Sequence, residues 1–207
     1  DPSLLKCLQN VAYDQFYCEH IYVFSTLALR EILKKYKLEI FDIENTKTHG
    51  GSNRYFIKKN DNKLYKINKR VKNEIKKELK FGLNKFSTYQ KFEKKVKASK
   101  QKLLKIFSEL NKKNLKVIGY GATAKSCTVL NYCGLGIKNI QYFFDTTSYK
   151  INRYLPGSKI LIKKYKKLDI KEVDFAYLGA WNFKEEIFKK EKKFIKKGGK
   201  FITHVPY

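Results

Sequence analysis

Tyr17-Cys18-Glu19-His20 sets a phenol, a thiol, a carboxylate and an imidazole in four consecutive positions. An imidazole takes up and releases a proton near neutral pH, so His20 is a candidate general base, with Tyr17 and Glu19 as its supports. On a helical turn Tyr17 and His20 would share a face. The chain has three histidines, His20, His49 and His204. A lone histidine is more often structural than catalytic, and the crowding around His20 sets it apart. His49-Gly50-Gly51-Ser52 is the second cluster. Paired glycines supply the positive φ of a turn, and His49 and Ser52 beside so permissive a backbone could touch a sugar. Trp181-Asn182 is a third candidate, either a buried tryptophan or a contact for a ligand.

Gly119-Tyr120-Gly121-Ala122-Thr123-Ala124-Lys125 follows an apolar run and opens a helical one. This is G-x-G-x-x-A in the strand–turn–helix setting that dinucleotide binding requires. Gly119 would allow the tight turn, Gly121 the approach of a phosphate, and Ala124 close packing of helix on strand. The helix N-terminus would offer N–H groups and a partial positive charge to a pyrophosphate. Ala122 lies in that loop, and Lys125 would add a full charge. Asp145, at the end of the next strand, stands near the expected ribose position. An empty Rossmann-like crevice is the plainer reading of the same motif.

These residues need elements to position them, and the chain reads as three regions. Residues 1–60 carry a helix over 24–36 with Ser25 as N-cap, then strands over 38–44 and 53–58 joined by the glycine turn. Residues 61–113 are lysine-rich with helical spacing and form a helical linker of two helices that break near Phe81-Gly82-Leu83-Asn84. Residues 114–207 alternate strands at 115–119, 140–145, 159–162, 173–179 and 200–205 with helices at 122–132 and 184–197. Gly198-Gly199 ends the last helix. Alternation of this kind predicts an α/β fold with a parallel sheet covered by helices on both faces.

Composition narrows the function classes. The 207 residues are 43% hydrophobic and 15% aromatic, enough for folded cores. No apolar run approaches the ~20 residues of a membrane span, and no secretory pattern opens the chain, so a cytoplasmic protein without membrane partners is expected. Cys7, Cys18, Cys127 and Cys133 form no C-x-x-C pair. They read as reduced thiols, and a bound metal is not expected. The net charge of +27 suggests nucleic acid, but it comes almost wholly from dispersed lysine. Arginine, the preferred reader of phosphates and guanines, is confined to Arg30, Arg54, Arg70 and Arg153. Solvated helix faces therefore explain the charge, and no nucleic-acid partner is expected. The chain opens at Asp1 and contains no methionine, which reads as part of a longer protein.

Several of these motifs, taken in order, resemble the sugar-nucleotide C-methyltransferase family, whose enzymes build branched deoxysugars. They are Tyr13-Asp14-Gln15-Phe16-Tyr17-Cys18-Glu19-His20, His49-Gly50-Gly51-Ser52, Gly119 to Lys125, Leu130-Asn131-Tyr132-Cys133-Gly134, Tyr154-Leu155-Pro156-Gly157 and Ala180-Trp181-Asn182-Phe183. The resemblance spans nearly the whole chain. It implies that 1–60 is the C-terminal end of a class I methyltransferase sheet, 61–113 a helical linker and 114–207 a Rossmann-like C-terminal domain. The family's zinc-binding cysteines and its glycine-rich S-adenosylmethionine motif have no counterpart here and would precede Asp1. Where the family commonly has Tyr-His-Glu-His, this chain has Cys18 in place of the first histidine, and the second, the family's base, corresponds to His20.

The resemblance implies S-adenosylmethionine-dependent methylation of a nucleoside-diphosphate 4-keto-deoxysugar. His20 would remove the proton at C3, and the enolate would attack the methyl group. Tyr17 and Glu19 would orient the base or stabilise the enolate. His49, Ser52, Gly119, Gly121, Ala122, Lys125, Asn131, Asp145, Trp181 and Asn182 would hold the substrate. Two other readings compete. One is a nucleotide- or NAD-binding Rossmann module without methyltransferase activity. The other is a basic nucleic-acid-binding protein, for which DNA affinity would fall steeply with salt.

Overall fold

The computed structural model describes residues 1–205. The chain divides into two compact units, one of Asp1–Gln15 with His20–Val96, the other of Phe16–Glu19 with the chain from Lys97 onward.

In the first unit, Ser3 caps a short helix, α1 (Leu4–Asn10), and a single 3-10 turn follows at Tyr13–Gln15. Helix α2 (Thr26–Lys35) begins at the expected cap, with the Ser25 hydroxyl accepting from the Ala28 amide at 3.1 Å. A second acceptor comes from far along the chain. The Glu78 carboxylate, 1% exposed, takes the Thr26 and Leu27 amides at 2.8 and 3.0 Å. Strands β1 (Leu38–Thr46) and β2 (Ser52–Lys59) pair as the expected antiparallel hairpin, with a register shift between Ile40 and Asp42. Helix α3 (Lys69–Phe81) starts at the Asn68 cap and ends at Gly82. Leu33 of α2, Ile40 and Ile43 of β1 and Val71 of α3 form one buried cluster. The amphipathic faces of both helices are thus spent on the hairpin. The long helix α4 (Phe86–Lys112) follows, its residues through Val96 grouping with this unit.

In the second unit, β3 (Val117–Tyr120), β4 (Phe143–Asp145), β5 (Ile162–Lys164), β6 (Phe175–Leu178) and β7 (Lys200–Ile202) form one parallel sheet in the order β5-β4-β3-β6-β7. Helix α5 (Ala124–Cys133) connects β3 to β4. The chain steps outward from β3 through β4 to β5, then returns to β3's other side as β6 and β7. Its topological switch point therefore lies between β3 and β6, where a doubly wound sheet opens its crevice. The fully buried Tyr177 of β6 packs against Phe107 of α4 and Phe143 of β4, and Ile118 of β3 is equally buried. This is the Rossmann-like α/β architecture that the strand–helix alternation predicts.

The strands differ from the apolar runs in extent: β4, β6 and β7 keep only part of theirs, β3 runs on to Tyr120, and β5 begins at Ile162, where the run expected over 159–162 ends. The single helix expected over 184–197 is two, α6 (Lys184–Lys190) and α7 (Lys192–Lys196), parted at Glu191. Glu191 is 2% exposed and leaves helical geometry at φ −99°, ψ 23°. Among the described residues no helix is long and apolar enough to cross a membrane.

Candidate functional site

Gln15 ends the 3-10 turn fully buried, and two histidines gather on it. The His20 Nδ1 lies 3.0 Å from the Gln15 carbonyl oxygen. A carbonyl can only accept, so Nδ1 carries a proton, and the basic position of the ring in its neutral form is Nε2. The Gln15 side-chain amide donates to the His49 carbonyl at 2.8 Å. The imidazoles of His20 and His49 then meet with centroids 5.0 Å apart and planes at 85°. Both rings are half-buried. Orientation by a backbone carbonyl is what a general base requires: one tautomer and one direction of attack.

Residues 16–20 are a bend and turn, not the helical turn that would align Tyr17 with His20. In a helix the Gln15 carbonyl would accept from the amide of residue 19; here the His20 ring bonds it. Tyr17 is half-buried, Cys18 and Glu19 are exposed, and all three group with the second unit. His49 sits in a 3-10 turn at φ 55°, and the Ser52 hydroxyl donates to the Thr48 carbonyl at 3.0 Å, closing the hairpin tip.

The glycine-rich segment of the second unit takes the expected strand–loop–helix course, with different duties for its glycines. Gly119 lies within β3, not at a turn. A Cβ there would fall 2.4 Å from the Phe143 ring, so its absence makes room for a core aromatic. Gly121 has φ +84°, and a Cβ would fall 2.7 Å from that of Ala180. The backbone approach at Gly121 is therefore filled by the loop after β6. Thr123 caps α5, its hydroxyl accepting from the Ser126 amide at 3.1 Å.

Asp145 does end its strand, but it faces the glycine loop. One carboxylate oxygen accepts from Ala122 N–H and the other from Thr147 N–H, both at 2.8 Å. Lys150 donates to the Ala122 carbonyl at 2.9 Å and stands 3.8 Å from the same carboxylate. Beside this lies a cavity of about 370 Å³ bordered by Tyr120, Thr123, Asp145, Lys150, Tyr165 and Lys190. It occupies the switch-point crevice.

The other expected residues are dispersed around the same unit. Lys125 is 6% exposed, its ammonium 5.7 Å from the centroid of the buried Trp181 ring. Asn182 is half-buried in the 3-10 turn that follows β6. The Asn131 amide donates to the Pro156 carbonyl at 3.2 Å and braces the 154–157 turn. His204, in contact with Tyr177 at 3.1 Å, is a core histidine.

Sequence reasoning missed the buried group under the crevice. One Glu191 oxygen accepts from the phenols of Tyr120 and Tyr165 at 3.0 and 2.6 Å, and the other from Leu168 N–H at 3.1 Å. Burial and the adjacent carboxylate push Tyr165 up to about 12 and raise Tyr120 as well. Nothing local marks Glu191, which sits among lysines like any surface-helix residue. Among the described residues no cluster of three or more His, Cys, Asp or Glu is placed to hold a metal.

The comparisons with known proteins agree with this architecture. The model of a family described as the C-methyltransferase C-terminal domain matches residues 47–206. The C-methyltransferase NovU of Streptomyces niveus is 29% identical over 205 residues, 99% of this chain and 49% of that protein. The chain thus spans about half the length of this curated relative. With the family model matching most of its length, the chain belongs to the C-methyltransferase C-terminal domain family.

Proposed function

We propose that this chain is the C-terminal part of an S-adenosylmethionine-dependent C-methyltransferase acting on a nucleoside-diphosphate 4-keto-deoxysugar. The observation that carries the reading is His20, whose Nδ1–H is committed to the Gln15 carbonyl and whose Nε2 is therefore the base. The ketone at C4 acidifies the proton at C3. His20 Nε2 takes that proton, and the electron pair passes into the enolate. Tyr17 and Glu19 orient the base or stabilise the developing charge. His49 and Ser52 are assigned to the sugar.

The methyl donor supplies an electrophilic methyl group when bound. The described residues do not fit its adenosine moiety: the strand-end acid that would hold ribose hydroxyls, Asp145, has both oxygens on backbone amides. Donor binding is assigned to the other half of the protein. Residues 1–60 are read as the end of the methyltransferase sheet, 61–113 as the linker and 114–207 as the Rossmann-like domain. In the last, Ala122, Lys125, Asn131, Trp181 and Asn182 are assigned to the nucleotide end of the substrate, while Gly119, Gly121 and Asp145 shape the loop that carries them. The same occupation of Asp145 counts against the NAD-module alternative.

The test is solvent-deuterium exchange at C3 in the active enzyme carrying this chain. His20→Ala should abolish it. Wild-type exchange in that variant would sink the assignment.

A further inference from the structure

We infer that Gln15 is the positioning residue of this site, its main-chain carbonyl fixing the tautomer of His20 and its buried side-chain amide holding the conformation of His49; the inference rests on the reading of His20 as the base. Gln15 touches both histidines. Its main-chain carbonyl takes the His20 Nδ1–H at 3.0 Å, and its side-chain amide holds the His49 carbonyl at 2.8 Å. The amide orientation is fixed, because only the NH₂ group can face a carbonyl. His49 has φ 55° and ψ 21°, a left-handed conformation that a residue with a Cβ keeps only when its surroundings hold it. The Gln15 amide is such a hold.

The position is costly for a glutamine. Gln15 is completely buried, and its Oε1 has no hydrogen-bond partner among the described residues. An apolar side chain of similar size would remove that orphan acceptor. Glutamine exchanges the cost for the bridge, a breach of local consistency of the sort that marks functional positions. Movement of the Gln15 side chain would shift the backbone whose carbonyl His20 reads, so the two bonds act as one device.

The test is the ¹⁵N spectrum of the imidazoles in this chain, where three histidines give few signals. Wild-type His20 is expected as the Nδ1–H tautomer; a dominant Nε2–H form overturns the inference without any variant. Gln15→Met keeps length and burial but cannot donate. It should return His20 to a tautomer mixture and shift the His49 signals, while the amide spectrum stays folded. Gln15→Leu carries the same test should the methionine variant unfold. In the active enzyme, kcat should fall with KM nearly unchanged. An intact tautomer in Gln15→Met overturns the positioning role and leaves His20 as base untouched. A lost tautomer with unchanged kcat and unchanged deuterium exchange overturns it too, and takes the reading of His20 as base with it.

Discussion

The rings of His20 and His49 meet nearly at right angles, 5.0 Å between centroids, although one follows a turn and the other tips a hairpin. The proposed chemistry makes them unequal. His20→Ala removes the base itself and should lower turnover about 10²- to 10⁴-fold. His49→Ala removes a neighbour and should cost less than His20→Ala. Steady-state kinetics of the two variants in the active enzyme check the order, and an equal loss would make His49 a partner in proton transfer.

Gly119 and Phe143 form a packing pair in the second unit. Gly119→Ala forces a Cβ to within 2.4 Å of the ring and should destabilise that unit by about 1–3 kcal/mol. Combining it with Phe143→Leu should cost less than the sum of the two single changes, because the leucine vacates the space. Thermal melts of the three variants measure the coupling. Gly121→Ala has no such relief, since its φ of +84° is unfavourable whatever Ala180 does.

Glu191 under the crevice should be costly to lose. Glu191→Ala leaves the buried Tyr120 phenol, the half-buried Tyr165 phenol and an amide short of an acceptor and should destabilise the chain by about 2–4 kcal/mol. In Glu191→Gln the negative charge is gone, so the Tyr165 phenolate is opposed less. Its titration should move down from about 12 towards the ordinary phenol range. NMR of labelled tyrosine, assigned with Tyr165→Phe, reads the shift.

Glu78 ties stability to pH. Burial raises its carboxyl above the ordinary value despite the two amides it accepts. Between the unfolded value and that raised value, the folded chain binds more protons than the unfolded chain. Stability from this group is therefore fully present below the unfolded value and falls as pH rises through the folded one. Urea melts across the acid range should show this slope in the wild type and not in Glu78→Gln. The variant should also lose about 1 kcal/mol at neutral pH, because one carbonyl replaces two accepting oxygens at the start of α2.

Much of the architecture was legible because local physics dictated it. Ser25 could be read as a cap since its hydroxyl competes for an amide three residues on, whatever surrounds it. The hairpin followed from alternating apolar residues around paired glycines. The break between α3 and α4 followed from Gly82, and the parallel sheet from short apolar runs separated by helical ones. The seven-residue α1 escaped notice because so short a helix has little periodicity of its own and is stabilised by burying Leu5 and Leu8 against Leu83.

The sequence by itself determined the inventory: which residues can exchange protons, where strands give way to helices, and that His20 is the candidate base. Only the tertiary structure decided how those groups are engaged. Gln15 and Glu191 look like ordinary polar residues in the chain, yet one gathers two histidines and the other two tyrosines. Asp145 ended its strand as expected, but its carboxylate turned to the loop amide of Ala122. The physical reason is common to all three. Backbone propensity and apolar periodicity act over a few neighbouring residues, whereas a buried polar atom must find its partner wherever the folded chain brings one.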